Sequence, residues 1–387
     1  MAGNLSRSGL DAIRAAAQRP VADDNVPGLV ALVATGDQVH VEALGRLSVG
    51  GPPVARDSLF RIASTTKPIT GAATLALVAE GLVGLDEPVD RLLPELANRQ
   101  VLREMGGPLD DTGPATRPIT TRDLLTFTFG FGMSGEMFTA AGAWPVVIAA
   151  EELSLVAFGP PDPAIQPDPD TWMAALGSLP LMAQPGERWL YNTGALVLGV
   201  LLGRAAGTSC GEVLRTRIFE PVGMSSTGFW TIDTDRMAEA YRPGPDGLVP
   251  WDAPVGRWSR PQLFEDGGAG LVSTVDDLLA FARMLLRDGG GVLSAAAAAA
   301  MRTDQLTPAQ KAHGGLGPDF FTGQSWSFGQ AVRADGAFGW DGGLGTSWLV
   351  DPVRDLIVIV LTQRMFDSPA LPSVHRDIRA AAYAALG

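Results

Sequence analysis

From Thr65 to Glu80 the chain reads TTKPITGAATLALVAE, with small or apolar residues on every side of a helical projection. A helix without a polar face has to be enclosed by other elements, so the fold must be built around this one. It nevertheless carries Lys67 near its start, and Lys67 and Lys311 are the only lysines among 29 basic residues. Arginine keeps its proton at any ordinary pH, whereas a desolvated lysine can lose it. A lysine retained at the head of a buried helix therefore points to a deprotonatable amine. Ser64 lies three residues earlier, on the same helical face. A serine is a weak nucleophile until a neighbouring base takes its proton. At a helix start its backbone N–H also faces a developing oxyanion from the positive end of the dipole. By itself Ser64-x-x-Lys67 is a weak signal, since an ordinary helix-start serine gives the same pattern. The scarcity of lysine strengthens it.

The surrounding chain reads as mixed α/β. Gly28–Ala34, a Thr35-Gly36-Asp37 turn and Gln38–Leu44 form a hairpin pattern after an amphipathic first helix. Helices are expected near Thr121–Phe127, Thr171–Leu176, Gly194–Ala206, Glu212–Phe219, Val275–Arg287 and Ser294–Arg302. Strand signals return at Ser325–Arg333, Thr346–Val350 and Leu356–Thr362, before a closing helix from about Val374 to Ala385. Strands at both ends with a helical middle imply an α/β unit, residues 1–85 and 265–387, completed by both termini. Residues 86–264 would form a mainly helical domain. The proline-rich stretch from Phe158 to Pro169 is a loop at the rim of a cleft. No internal repeat is evident.

Composition excludes several partner classes. A net charge of −13 opposes nucleic acid and anionic membrane surfaces. The longest apolar stretches, such as Ala195–Leu202, are too short to span a bilayer. One cysteine, Cys210, allows no intrachain disulfide, and the first residues lack the apolar core of a secretory leader. These features give the expectation of a soluble, cytoplasmic protein, monomeric or homo-oligomeric, with no cofactor. Three histidines and one cysteine at scattered positions give no metal-ligand spacing.

Breaking an acyl-enzyme needs a second proton carrier. There are three tyrosines. Tyr383 falls in the closing helix, Tyr241 in what reads as a Pro/Gly-rich loop, and Tyr191 in a turn, Gln184–Gly194, that launches a helix. A phenol beside a lysine ammonium has a lowered pKa and can act as base. Gly339-Trp340-Asp341-Gly342-Gly343-Leu344-Gly345-Thr346 adds a glycine-rich strand end, where an edge strand could offer a second oxyanion N–H. Two other motifs are decoys. Gly207-Thr-Ser209-Cys-Gly211 has the nucleophile-elbow spacing but follows a helix, so Ser209 is read as a cap. Gly130-Phe-Gly132-Met-Ser-Gly135 lacks the preceding strand of a dinucleotide site.

Taken in order, Phe60–Thr70, Leu85–Val89, Thr121–Thr126, Pro185–Tyr191, Phe219–Met224 and Gly267–Ser273 resemble the serine β-lactamase superfamily, specifically the class C-like branch and its family VIII carboxylesterases. The resemblance extends from about residue 28 to the C-terminus. It implies a β-lactamase/penicillin-binding-protein-like fold: an antiparallel sheet flanked by terminal helices, packed on an all-α region. It implies Ser64 as nucleophile, Lys67 as its base partner and Tyr191 as proton shuttle, with the N–H groups of Ser64 and Gly343 as oxyanion hole. Whether Lys67 is neutral at rest or passes its role to Tyr191 stays open, because coupled groups titrate as a unit.

Three departures bear on substrate. The family's Tyr-x-Asn is here Tyr191-Asn192-Thr193, which makes Asn192 and Thr193 candidate contacts. Its Lys-Thr-Gly is replaced by Trp340-Asp341-Gly342, an indole and a carboxylate that would repel an anionic penicillin and favour a neutral ester. Phe129, in Phe127-Thr128-Phe129-Gly130, makes the cleft more apolar. The expected activity is a serine carboxylesterase for short-chain neutral esters, with acyl transfer to alcohols or amines. The alternatives are an amide-directed β-lactamase, D-aminopeptidase or transacylase, and a silent ligand-binding homologue.

Overall fold

The computed structural model describes residues 4–386. Its centre is a seven-stranded antiparallel sheet whose strands come from both ends of the chain. The N-terminal pair is β1 (Gly28–Thr35) and β2 (Gln38–Gly45). The C-terminal five are β3 (Gln324–Trp326), β4 (Ala331–Arg333), β5 (Phe338–Gly342), β6 (Thr346–Asp351) and β7 (Leu356–Thr362), in the order β2-β1-β7-β6-β5-β4-β3. The continuous apolar runs of β1 and β7 follow from burial of both faces. Leu29, Ala31 and Val33, with Val358 and Val360, pack beneath α1 (Arg7–Ala22) and α5 (Ser373–Ala385). Val30, Leu32 and Ala34, with Ile357, Ile359 and Leu361, join the main core on the other side.

That core is built on three helices, α2 (Thr66–Ala79), α3 (Thr193–Ala206) and α4 (Val275–Leu286). Every residue of α2 from Thr66 to Leu77 is buried, as its lack of a polar face requires. Within the described residues no single helix is long and apolar enough to cross a membrane.

Some elements differ from the sequence expectation. Ser325–Arg333 is two strands rather than one, because the chain reverses at Gly329 (φ 84°) and closes with a Ser327 N–H bond to the Gln330 carbonyl. Tyr241 lies in a strand, Ala240–Gly244, paired with Gly247–Asp252. The prolines that suggest a loop there belong to a two-stranded ribbon closed by Pro245-Asp246, where an edge tolerates them. The helix expected over Glu212–Phe219 is α-helical only over Cys210–Leu214 and continues as a π turn. A helix at Pro145–Glu152, announced only by its proline at the first position, went unread.

The approach to Ser64 is held from below by a buried ion pair. Arg61 ends a short strand, Phe60–Arg61, paired with Val272–Ser273. Its guanidinium meets the Asp252 carboxylate, donates to the carbonyls of Ala238 (2.6 Å) and Ala253 (2.8 Å), and lies 5.2 Å from the Trp258 ring centre. Asp252→Ala would leave that cation buried without its bonded counter-charge, which costs about 3–5 kcal/mol. We expect a loss of that order in denaturant unfolding. A loss below about 1 kcal/mol would show that the carbonyls alone satisfy Arg61.

Candidate active site

The serine stands on a strained turn. Ala63 has φ of 42°, a left-handed conformation that a residue with a Cβ adopts only when its surroundings impose it. A 3₁₀ turn, Ala63–Thr65, then runs directly into α2. Ser64 Oγ is thereby brought to Lys67 Nζ at 3.0 Å, and the Tyr191 hydroxyl donates to the same oxygen at 2.9 Å. Lys67 Nζ also donates to the Gly268 carbonyl at 2.8 Å.

The electrostatics separate the two proton carriers. Burial brings the Lys67 pKa down to about 7, against the opposing pull of the Asp266 carboxylate. Burial pushes Tyr191 up to about 12, although its bonds to Ser64 and Trp340 act in the other direction. The expectation of a lowered phenol pKa is thus corrected for the resting enzyme. Desolvation outweighs the neighbouring amine, which near neutrality is itself only partly charged. Lys67 is the group placed to accept the Ser64 proton, and Tyr191 is a neutral hydroxyl.

Tyr191 is fixed by its backbone and its ring. Its N–H and C=O pair with Met133 at 2.8 Å each. That pairing lets the chain pass so close that a Cβ at Gly132 (φ 152°) would sit 2.5 Å from the Tyr191 carbonyl oxygen. This close approach is the structural role of the glycine-rich decoy motif. Around the ring stand Trp189, stacked at 5.5 Å, Trp340 at 5.6 Å and Phe127 edge-on at 5.9 Å. The Trp340 indole N–H donates to the Tyr191 hydroxyl at 2.8 Å, and Trp326 packs perpendicular to the Trp340 ring at 4.7 Å.

The turn between β5 and β6 closes the site. Gly342 abuts the Ile62 carbonyl, where a side chain would collide, and Thr346 Oγ1 donates to that carbonyl at 2.9 Å. Gly343 is exposed, with open space where a Cβ would be, and its carbonyl accepts from Phe366 N–H at 2.9 Å. β5 is an interior strand, not an edge. It nevertheless outruns β4, which pairs only with Phe338 and Gly339, so its last residues have a free side toward the Ser64 turn.

Five expected substrate contacts are otherwise engaged. Asp341 pairs across to Ser347, on the sheet face opposite to Trp340, and meets Arg379 of α5. One step along a strand reverses the face, so this carboxylate neither lines the Trp340 side nor stands unpaired. Gly342 is a packing glycine. Asn192, at φ 83°, spends its amide on the Ala157 carbonyl at 3.1 Å. Thr193 is buried in the first turn of α3. Phe129 is enclosed in the main core, and Phe127, turned by its own left-handed backbone (φ 60°), reaches the site instead. Ser209 caps the Cys210–Leu214 helix as expected, accepting from Glu212 N–H at 3.2 Å.

Sequence reasoning missed Gly268, Asp266 and Arg61. A carbonyl acceptor leaves no trace in a sequence. Asp266 had a faint one, a carboxylate directly before the small and apolar Gly267–Val272. A cavity of about 550 Å³ lined by Ser134, Gly135, Pro308, Lys311, Gly315 and Phe321, among others, opens beside the aromatic cluster through Phe321. The described residues contain no cluster of three or more histidine, cysteine or acidic side chains suited to a metal.

A family model described as Beta-lactamase matches residues 13–383. Protein Rv1367c of Mycobacterium tuberculosis is 39% identical over 340 residues, spanning 82% of this chain and 80% of its own length. Esterase EstB of Burkholderia gladioli is 32% identical over 384 residues, spanning 89% and 88%. Among solved structures, EstCE1, titled a hydrolase with promiscuous acyltransferase activity, matches with a TM-score of 0.80 at 25% identity, covering 97% of this chain and 99% of that one.

Two outcomes follow from the geometry. With Lys67 near 7, kcat/KM for a neutral ester should rise with pH through about 7 as the amine loses its proton, then level off. A profile flat across that value would remove Lys67 as the base. Trp340→Phe keeps a ring but deletes one hydrogen bond, worth about 0.5–1.5 kcal/mol, so kcat should fall by about twofold to tenfold. An unchanged kcat would mean that Tyr191 needs no donor.

Proposed function

The chain belongs to the Beta-lactamase family, and from that premise we propose that it is a serine carboxylesterase working through an acyl-enzyme on Ser64. One observation carries the reading: Ser64 Oγ is in hydrogen-bond reach of a buried amine and a buried phenol at once. Neutral Lys67 takes the Ser64 proton as Oγ bonds to the ester carbon. The oxyanion of the tetrahedral intermediate is received by the Ser64 and Gly343 N–H groups. The leaving alkoxide departs with the Tyr191 proton. The site is then left with a lysine ammonium, 4.8 Å from the tyrosine ring centre, and a phenolate that keeps the Trp340 donor. In this state, unlike the resting one, the ammonium favours the phenolate. Deacylation reverses the flow: Tyr191 takes a proton from water, the hydroxide attacks, and Lys67 returns its proton to Ser64.

The lining favours a neutral, short acyl ester. Trp340 occupies the cleft face of β5, while Arg379 lies on the opposite face against Asp341. The preference therefore rests on the indole and its aromatic neighbours, not on repulsion by Asp341. Tyr191 is enclosed by rings, and a dry surround lets an alcohol compete with water for the acyl group. The names of the relatives, an esterase and a hydrolase with acyltransferase activity, support both halves of the reading.

The test is p-nitrophenyl butyrate beside a chromogenic cephalosporin, then the ester with a primary alcohol added. Ester turnover should exceed cephalosporin turnover by orders of magnitude, and added alcohol should divert acyl groups into the transfer product. Faster cephalosporin turnover would favour the amide-directed alternative. Release of free acid alone would exclude transfer.

A further inference from the structure

The loop from Asp266 to Leu271 passes between α2 and α3, and its backbone is committed residue by residue. The Gly267 carbonyl accepts from Thr70 Oγ1 at 2.6 Å, and the Gly270 carbonyl from Trp258 Nε1 at 2.8 Å. A Cβ on Gly267 would collide with the Ala195 carbonyl oxygen of α3 at 2.8 Å and crowd Gly199 at 3.1 Å. In the middle, the Gly268 carbonyl faces Lys67 Nζ. Asp266 is only 2% exposed, and one of its oxygens accepts from the N–H groups of Gly268 (2.7 Å) and Ala269 (3.2 Å). The carboxylate thus folds the loop back on itself and aims that carbonyl.

This matters for how the amine works. A neutral lysine that gives one N–H to Gly268 has its rotation about the Cε–Nζ bond restrained, so the lone pair can be held toward Ser64 Oγ. A buried carboxylate with no guanidinium or ammonium bonded to it is also expensive, unless it balances a charge nearby. The Lys67 and Asp266 charges act on each other across this loop. The other groups around Lys67 are uncharged at rest: Tyr191 ahead of α3, Trp340 on β5 and Ser64 itself. Arg217, beyond the far end of α2, is paired with Glu80. Cys210, on which Glu265 and Asp266 act, is a thiol kept protonated by burial.

We propose that Asp266 is a positioning residue of the acyl-transfer machinery, which holds the Gly268 carbonyl on Lys67 and sets how readily that amine gives up its proton. The proposal rests on the Ser64–Lys67 reading above and extends it to a residue that does not touch substrate. The sign follows from charge. The Asp266 carboxylate favours the ammonium, so removing its charge eases deprotonation and moves the acid limb of activity to lower pH.

The experiment measures kcat/KM against pH with p-nitrophenyl butyrate for wild type, Asp266→Asn and Asp266→Ala, with intact-protein mass following the Ser64 adduct. Asn keeps an acceptor for the loop and loses the charge. Its acid limb should move down by about one pH unit or more, while the adduct still forms. Ala loses the acceptor too, so its kcat should also fall. Asp266→Ser, a smaller uncharged acceptor, reads the same limb should Asn fold poorly. Acid limbs of the uncharged variants that coincide with wild type, with adduct formed in all, would overturn the assignment. No adduct in wild type at any pH would instead bring down the Ser64 reading, and this role with it.

Discussion

Burial of one amine organises this molecule. A lysine ammonium enclosed by protein loses most of its hydration, and the response is to bring its pKa from 10.5 to about 7. Because the folded value lies below the unfolded one, the unfolded chain binds the extra proton between those two pH values. Stability due to Lys67 therefore rises with pH across that window and is absent below it. Folding accepts that penalty at neutral pH in return for a base where arginine could never serve. The apolar girth of α2 ensures the desolvation, and the 3₁₀ turn before it sets the serine beside the amine.

The rest of the architecture serves placement. The sheet brings β5 alongside the Ser64 turn, and Thr346 ties the two through the Ile62 carbonyl. Arg61 and Asp252 lock the strand that leads into Ala63, whose left-handed backbone needs that restraint. Tyr191 arrives by a separate route, on a backbone bridge to Met133 with four aromatic rings around it. Ser64 and Lys67 thus come from one segment and Tyr191 from another, and they meet between the sheet and the helices.

Much of this was legible in the residues. Lys67 stood out because lysine is otherwise so rare, and α2 because it lacks a polar face. Terminal strands around a helical middle foretold the sheet. Contacts that depend on which way a side chain turns were not legible. Asp341 looked like a cleft carboxylate until strand alternation put it on the α5 side with Arg379 waiting. Phe127 and Phe129 differ by two positions, and only the backbone angle at Phe127 decides which reaches Tyr191. The phenol's proton affinity could not be read either, because it depends on how completely the ring is enclosed. Backbone acceptors such as Gly268 have no signature in any sequence.

The most direct measurement is the intact mass of the protein after brief exposure to p-nitrophenyl butyrate, with peptide mapping of any adduct, for wild type and Ser64→Ala. The account predicts one butyryl group on Ser64 in the wild type and none in the variant, with turnover lost alongside. Turnover that persists without Ser64, or an adduct mapped to another residue such as Ser209, would contradict it.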